Sequence, residues 1–225
     1  IDNLIASSTS FRGEWPKGFE MEYGQFRKFD GEMVKAPFVA RQKTCYYWHD
    51  TESCCNAVAF RLGDKKQLTF IAIMPEDSTT SIQQFLKYQF DYQFLKRLVK
   101  NLKKKHYVSI RLPILKAFGS QRISNPVQHI KHLLNREKPL KELQKPIQKA
   151  EFEAMNNLQN IALVQKVSME ICEQRIVKAA NPDANTGLFP KKEARFWADR
   201  PFVYLMVSQL STHVLFAGVV EDPRS

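Results

Sequence analysis

The chain has 225 residues, with 34 Lys and Arg against 23 Asp and Glu and a formal charge of +11. Its 44% hydrophobic and 25% charged residues make a globular composition rather than a disordered one. The length allows one domain or at most two, and no apolar run approaches the ~20 residues of a membrane-spanning helix.

The chain opens on Ile1-Asp2-Asn3-Leu4, and its first methionine is Met21, which predicts a processed chain or a fragment. Residues 4–11 predict a strand with small residues inside, running into Phe11-Arg12-Gly13-Glu14-Trp15. Ala57–Leu62 and Leu68–Met74 read as a hairpin around Gly63-Asp64-Lys65-Lys66-Gln67, and Pro75 ends its second strand. Ser78–Thr80 offer N-cap hydroxyls to one or two amphipathic helices. Their apolar residues recur three and four apart at Ile82, Phe85 and Leu86, then at Phe94, Leu95, Leu98, Val99 and Leu102. Lys96, Lys100 and Lys103 fall within about 60° of one another on the helical wheel, flanked by Arg97 and Lys104. Leu95, Leu98, Val99 and Leu102 take the other side.

Val108, Ile110 and Leu112 alternate with polar residues as a half-buried strand closed by Pro113. Residues 125–160 are polar and broken by Pro126, Pro139 and Pro146, so short helices and loops are expected there. Val164–Ile171 is a further strand. Residues 173–200 carry Asn-Pro, Asn-Thr-Gly and Phe-Pro breaks and read as a long loop, a length that is usually functional. Two apolar runs, Phe202–Val207 and Val214–Val220, form a terminal hairpin expected to be buried on both faces.

Chemistry-bearing residues are sparse. Cys45, Cys54, Cys55 and Cys172 lack zinc spacing, so unpaired and partly buried thiols are expected, with one disulfide as the alternative. His129 and His132 have no third ligand nearby and read as a solvated pair. No catalytic constellation is present, so no enzyme, metal or cofactor is expected. The basic cluster has two readings, a solvated helix face or a site for a sulfated polysaccharide. No nucleic-acid module accompanies it, and neither nucleic acid nor a membrane is expected as a partner.

Four ordered motifs resemble the serpin family. Phe196-Trp197-Ala198-Asp199-Arg200-Pro201-Phe202-Val203-Tyr204-Leu205-Met206, followed by Leu215–Val220 and Asp222-Pro223, is similar to the family's C-terminal signature. Phe11–Trp15 resembles the end of the third strand of the large sheet, with Trp15 at the "breach". Ile73-Met74-Pro75 and Ile110-Arg111-Leu112-Pro113 fall in family order. The resemblance covers nearly all of 1–225. It implies a partial serpin fold of the α+β class, about the C-terminal three-fifths, with mixed sheets and a reactive-centre loop over 173–200. It also implies an extracellular protein, a serine protease as partner, and a basic segment on a helix that binds heparin in some members.

Serpins trap proteases by inserting the cleaved loop as a new strand of the large sheet, which requires small uncharged residues at the hinge. Glu173 matches the acidic residue that opens the loop. Arg175 stands where the hinge Gly belongs, Ile176 replaces a small hydroxyl residue and Lys178 replaces an Ala. Ile176 and Lys178 share the inward parity of a strand, and Pro182 removes a backbone donor. Only Ala179 and Ala180 fit the inhibitory pattern. Ser7 and Gln165 stand where the sheet's "shutter" has Asn and His, and Ile114 stands where a Lys pairs with the residue matched by Glu173. Lys116 takes that pairing only through a change of register. The resemblance with this hinge implies a non-inhibitory binding role, and the alternative is a suicide-substrate inhibitor. The scissile region covers Leu188, Phe189, Pro190, Lys191 and Lys192. Phe189 suits a chymotrypsin-like protease but is followed by Pro190, which normally blocks cleavage, and either lysine suits a trypsin-like one. A protease-sensitive loop of no fixed target is the other reading.

Overall fold

The structure, a computed structural model, describes residues 3–62, 68–77, 80–124, 161–172, 194–208 and 213–224. Its strands are β1 (Asn3–Glu14), β2 (Glu20–Arg27), β3 (Met33–Asp50), β4 (Cys55–Leu62), β5 (Leu68–Pro75), β6 (Lys105–Pro113), β7 (Leu115–Ser124), β8 (Ile161–Cys172), β9 (Ala194–Trp197), β10 (Phe202–Ser208) and β11 (Val214–Val220). Two helices, α1 (Ile82–Tyr88) and α2 (Tyr92–Asn101), lie between β5 and β6. The chain divides into two compact units, Ile1–Phe11 with Ala117–Met169 and Arg12–Lys116 with Glu170–Ser225.

Three strands in the order β1-β8-β7 form the smaller sheet. The small residues of β1 do not face inward as expected: Ala6, Ser7, Ser8, Thr9 and Ser10 are all exposed. They give that strand little apolar area to bury.

The other sheet has eight strands in the order β11-β10-β5-β4-β3-β6-β9, with β2 paired to β3. β3 joins its parts, since Met33–Ala40 pair with β2, Phe38–Tyr46 with β6 and Tyr46–Asp50 with β4. The hairpin of β4 and β5 pairs Phe60 with Phe70 and Ala57 with Ile73, and β10 extends it through Val203–Ile73. The apolar runs of these strands bury both faces, as continuous rather than alternating hydrophobicity requires.

On one face Ala57, Ile73, Val203 and Leu205 pack with Ile82, Phe85, Phe94 and Leu98 of the helices. On the other, Trp15 sits 5.7 Å from each of the Phe19, Phe60 and Phe70 rings. Phe70 stacks in turn on Tyr204 at 6.4 Å. Such tilted and stacked pairs add to area burial.

The helix caps shift by a few residues from expectation. The α1 cap is Ser81 rather than Ser78–Thr80, its hydroxyl accepting from the Gln84 N–H at 3.1 Å. The α2 cap is Asp91, whose carboxylate accepts from the Phe94 N–H at 2.7 Å. These caps satisfy backbone donors that the helices cannot pair internally.

Two other expectations change. β11 is an edge strand and is not buried throughout: Phe216 and Val220 are buried and Val219 is half-buried against the helix-side core, whereas Val214, Leu215 and Ala217 are exposed. The stretch 173–200 is not wholly loop, because Ala194–Trp197 run parallel to β6. Four residues are too few for strand periodicity to register.

The thiols of Cys45 and Cys55 are buried and unpaired, and Cys54 is exposed. Burial pushes Cys45 up to about 11 and Cys55 up to about 12. Iodoacetamide at neutral pH is therefore expected to label Cys54 and spare Cys45 and Cys55, because the thiolate is the nucleophile. Peptide mapping reads this, and early labelling of Cys55 contradicts it. In denaturant titrations Phe94→Ala is expected to cost about 3–5 kcal/mol and Asp91→Ala about 1 kcal/mol.

Candidate functional site

The site is best built from the two strands that bracket residues 173–193. On the entry side, Met169 and Ile171 of β8 are buried, so Glu170 between them points away from the core. Its carboxylate meets Arg12 Nε of β1 at 3.6 Å and Lys116 Nζ of β7 at 3.6 Å. One acidic residue thus ties all three strands of the smaller sheet. Glu170 is 29% exposed and Arg12 80% exposed, so each pair contributes no more than ~1 kcal/mol. Sequence reasoning missed Glu170, because it looked for the acidic partner at the loop's start. Alternation of Met169, Glu170 and Ile171 was the available signal.

On the exit side the signature motif divides its labour. Phe196 and Ala198 are fully buried. The Ala198 N–H donates to the Arg111 carbonyl at 2.8 Å, and the Arg27 N–H donates to the Asp199 carbonyl at 2.8 Å. Arg200 crosses to β5, donating from Nη2 to the carbonyls of Pro75 and Glu76 at 3.0 and 2.9 Å. A guanidinium fork suits this role, because it satisfies several acceptors from one rigid plane.

Outward from these, the Arg195 guanidinium lies 4.3 Å from the Trp197 ring centroid and that of Arg111 lies 6.0 Å from it. Arg111 also covers the Phe38 ring at 4.5 Å and donates to Glu22 at 2.5 Å. Trp197 Nε1 donates to the Ser109 hydroxyl at 3.3 Å. Cation–π contacts here couple β9 to β6 and β3. This face borders an open cleft of about 680 Å³ with Glu20, Arg41, Gln42 and Trp197 on its walls. Its mixed charge favours no single ionic ligand.

Of the residues singled out in the sequence, Trp15 is buried at the aromatic cluster described above. Ser7 and Gln165 are both exposed. Glu173, Arg175, Ile176 and Lys178 lie outside the described residues, as do Leu188, Phe189, Pro190, Lys191, Lys192, His129 and His132.

The five basic residues do not share one helix face. α2 ends at Asn101, so Lys103 and Lys104 follow it. Arg97 is committed inward, its Nη2 3.3 Å from Asp50 and 2.8 Å from the Ser53 hydroxyl, its Nη1 2.9 Å from Glu52. Asp50 and Ser53 are buried, and Arg97 neutralises that carboxylate at the β3–β4 turn. Lys96 and Lys100 remain exposed on α2. Val99, expected on the apolar side, is 68% exposed between them.

The sequence model described as Serpin (serine protease inhibitor) matches residues 3–223. Serpin-ZXA of Oryza sativa subsp. japonica is 25% identical, the alignment covering 98% of this chain and 56% of its own length. Among solved structures, SRPN18 of Anopheles gambiae is similar at a TM-score of 0.69 and 16% identity, covering 96% of this chain and 55% of that one. Native protease nexin-1 with heparin is similar at 0.63 and 16% identity, covering 98% and 56%. At these identities the structural likeness establishes the fold alone, and the chain spans about half the length of these relatives. Members of the matched family are generally protease inhibitors rather than enzymes. With a family match over residues 3–223, nearly its whole length, the chain belongs to the serpin family.

Proposed function

We propose that this serpin acts by binding, with a reactive loop that does not insert after cleavage. The observation that carries the reading is the hinge run Arg175-Ile176-Val177-Lys178, which follows β8 in sequence. A strand turning back from the end of β8 must part β8 from one of its neighbours, and both edges of β8 are already paired in the order β1-β8-β7. In such a strand Ile176 and Lys178 share a face. Facing inward, Lys178 costs several kcal/mol as an unpaired buried charge. Pro182 adds a missing donor in the ladder. The ties from Glu170 to Arg12 and Lys116 oppose the same separation, though weakly.

The same protein carries a polyanion-binding surface in this reading, made by Lys96, Lys100, Lys103 and Lys104, all exposed. Arg97 is left out of it by its ion pairs with Asp50 and Glu52. The similarity to a protease nexin-1 structure that contains heparin supports this part. A secreted location accompanies the reading; among the described residues no helix is long and apolar enough to cross a membrane.

Incubation with chymotrypsin or trypsin is expected to cleave the loop without an SDS-stable complex, and cleavage is expected to leave Tm unchanged. A covalent complex, or a large rise in Tm after cleavage, overturns the non-inserting reading in favour of an inhibitor. On immobilised heparin, Lys96→Gln with Lys100→Gln is expected to lower the eluting salt concentration, and Arg97→Gln to lower stability instead. Unchanged elution of the double variant rejects the polyanion surface.

A further inference from the structure

The outward face of α2 is not a plain basic stripe. At about 100° per residue, Tyr92, Lys96, Val99 and Lys100 fall within an arc of about 100°, opposite buried Phe94 and Leu98. Tyr92 is 56% exposed and Val99 68% exposed, and Tyr88 at the end of α1 is 69% exposed. Lys103, Lys104 and Lys105 follow directly and are exposed as well. α2 contains no acidic residue, and the nearby Glu52 carboxylate is paired with Arg97 at 2.9 Å.

A sulfated sugar has use for the lysines and none for an isopropyl group and a phenol held in water beside them. A lipid surface uses both. Its anionic headgroups attract clustered lysines. Its headgroup boundary takes up tyrosine rings and aliphatic side chains, while lysine stems lie along the apolar layer with their ammonium groups in water. Lysine also suits this partner better than arginine, being a hydrated point charge that needs no fixed bidentate geometry.

We infer that the outward face of α2, with the lysines that follow it, docks on an anionic phospholipid surface, Tyr92 and Val99 entering the headgroup boundary beside Lys96 and Lys100. This rests on the polyanion reading for its charge and goes beyond it in naming the partner. It replaces the expectation of no membrane contact with contact at the surface, not a span.

The test is co-sedimentation of the full chain with phosphatidylserine–phosphatidylcholine vesicles, with phosphatidylcholine vesicles as the neutral comparison. Three proteins are used: the native chain, Tyr92→Ser with Val99→Ser, and Lys96→Gln with Lys100→Gln. All four positions are exposed, so the fold is not at stake, and elution from immobilised heparin provides the second readout. The native chain is expected to bind only the anionic vesicles. The Tyr92/Val99 variant is expected to bind them about tenfold more weakly, from lost apolar insertion, with heparin elution unchanged. The lysine variant is expected to lose in both assays. If the Tyr92/Val99 variant keeps native vesicle affinity, or the native chain ignores anionic vesicles, the lipid inference is overturned while heparin elution still reports on the polyanion surface. If the lysine variant is unchanged in both assays, the polyanion reading falls as well.

Discussion

Burial of both faces of β4, β5 and β10 is the constraint from which the larger unit follows. Cys55, Ala57, Ile73 and Val203 demand cover on one side, and Phe60, Phe70 and Tyr204 demand it on the other. α1 and α2 meet the first demand with Phe85, Phe94 and Leu98. Trp15 and Phe19 meet the second. The two demands differ in kind: small residues on the helix side leave room for large helix side chains, whereas the far side is filled by rings touching rings. Trp15 is held by this packing alone, since its indole N–H has no hydrogen-bond partner. Its apolar surroundings therefore outweigh an unsatisfied donor, a cost of about 1–3 kcal/mol.

The same constraint governs where charge can go. Asp50 and Ser53 are buried at the β3–β4 turn, at the margin of the helix-covered face. An unpaired carboxylate there is untenable, and Arg97 reaches it from α2. One basic residue of the run is thereby spent on the fold. Its neighbours, with no buried partner to serve, stay in water. A charge cluster counted in sequence thus separates in space into a structural arginine and a group of surface lysines. Only the second group is available to a ligand.

Legibility in the sequence followed the period of the hydrophobic pattern. The β4–β5 hairpin, the two helices, β6 and β10 all carry runs or repeats long enough to read. β2 and β3 lie between Trp15 and Ala57, where the sequence offers no element. β3 changes partner along its length, so the parity of Val34, Ala36 and Phe38 does not persist past Val39 and the alternation blurs. β7 is hidden differently: beyond buried Leu115 its residues, such as Phe118 at 72% exposure, do not alternate by burial. Val99 was misplaced because it was grouped with the leucines by its apolar type, whereas its angle on the helix sets it beside Lys96 and away from buried Phe94. The motif at the loop's exit was legible as a resemblance, but its logic was not. Only the structure shows that Arg200 serves the Pro75 carbonyl at the end of β5, 125 positions away, and that Arg111 lies over Phe38.

The two strands that flank residues 173–193 are held by different physics, and this bears on the proposed insertion. The exit is anchored by buried groups: Phe196, Ala198 and the Arg200 fork, each with partners that water cannot replace cheaply. The entry is marked by Glu170, whose two ion pairs are solvated and screened by salt. Separation of strands at the entry is therefore opposed chiefly by backbone pairing, and the ion pairs alone do not decide whether the sheet opens. What decides it is the chain that must fill the opening. In small uncharged residues that chain regains the lost hydrogen bonds at little cost. With Lys178 facing inward it regains them only by burying an ammonium group. In the proposed non-inserting reading, the hinge sequence, rather than the strength of the closed sheet, sets the outcome.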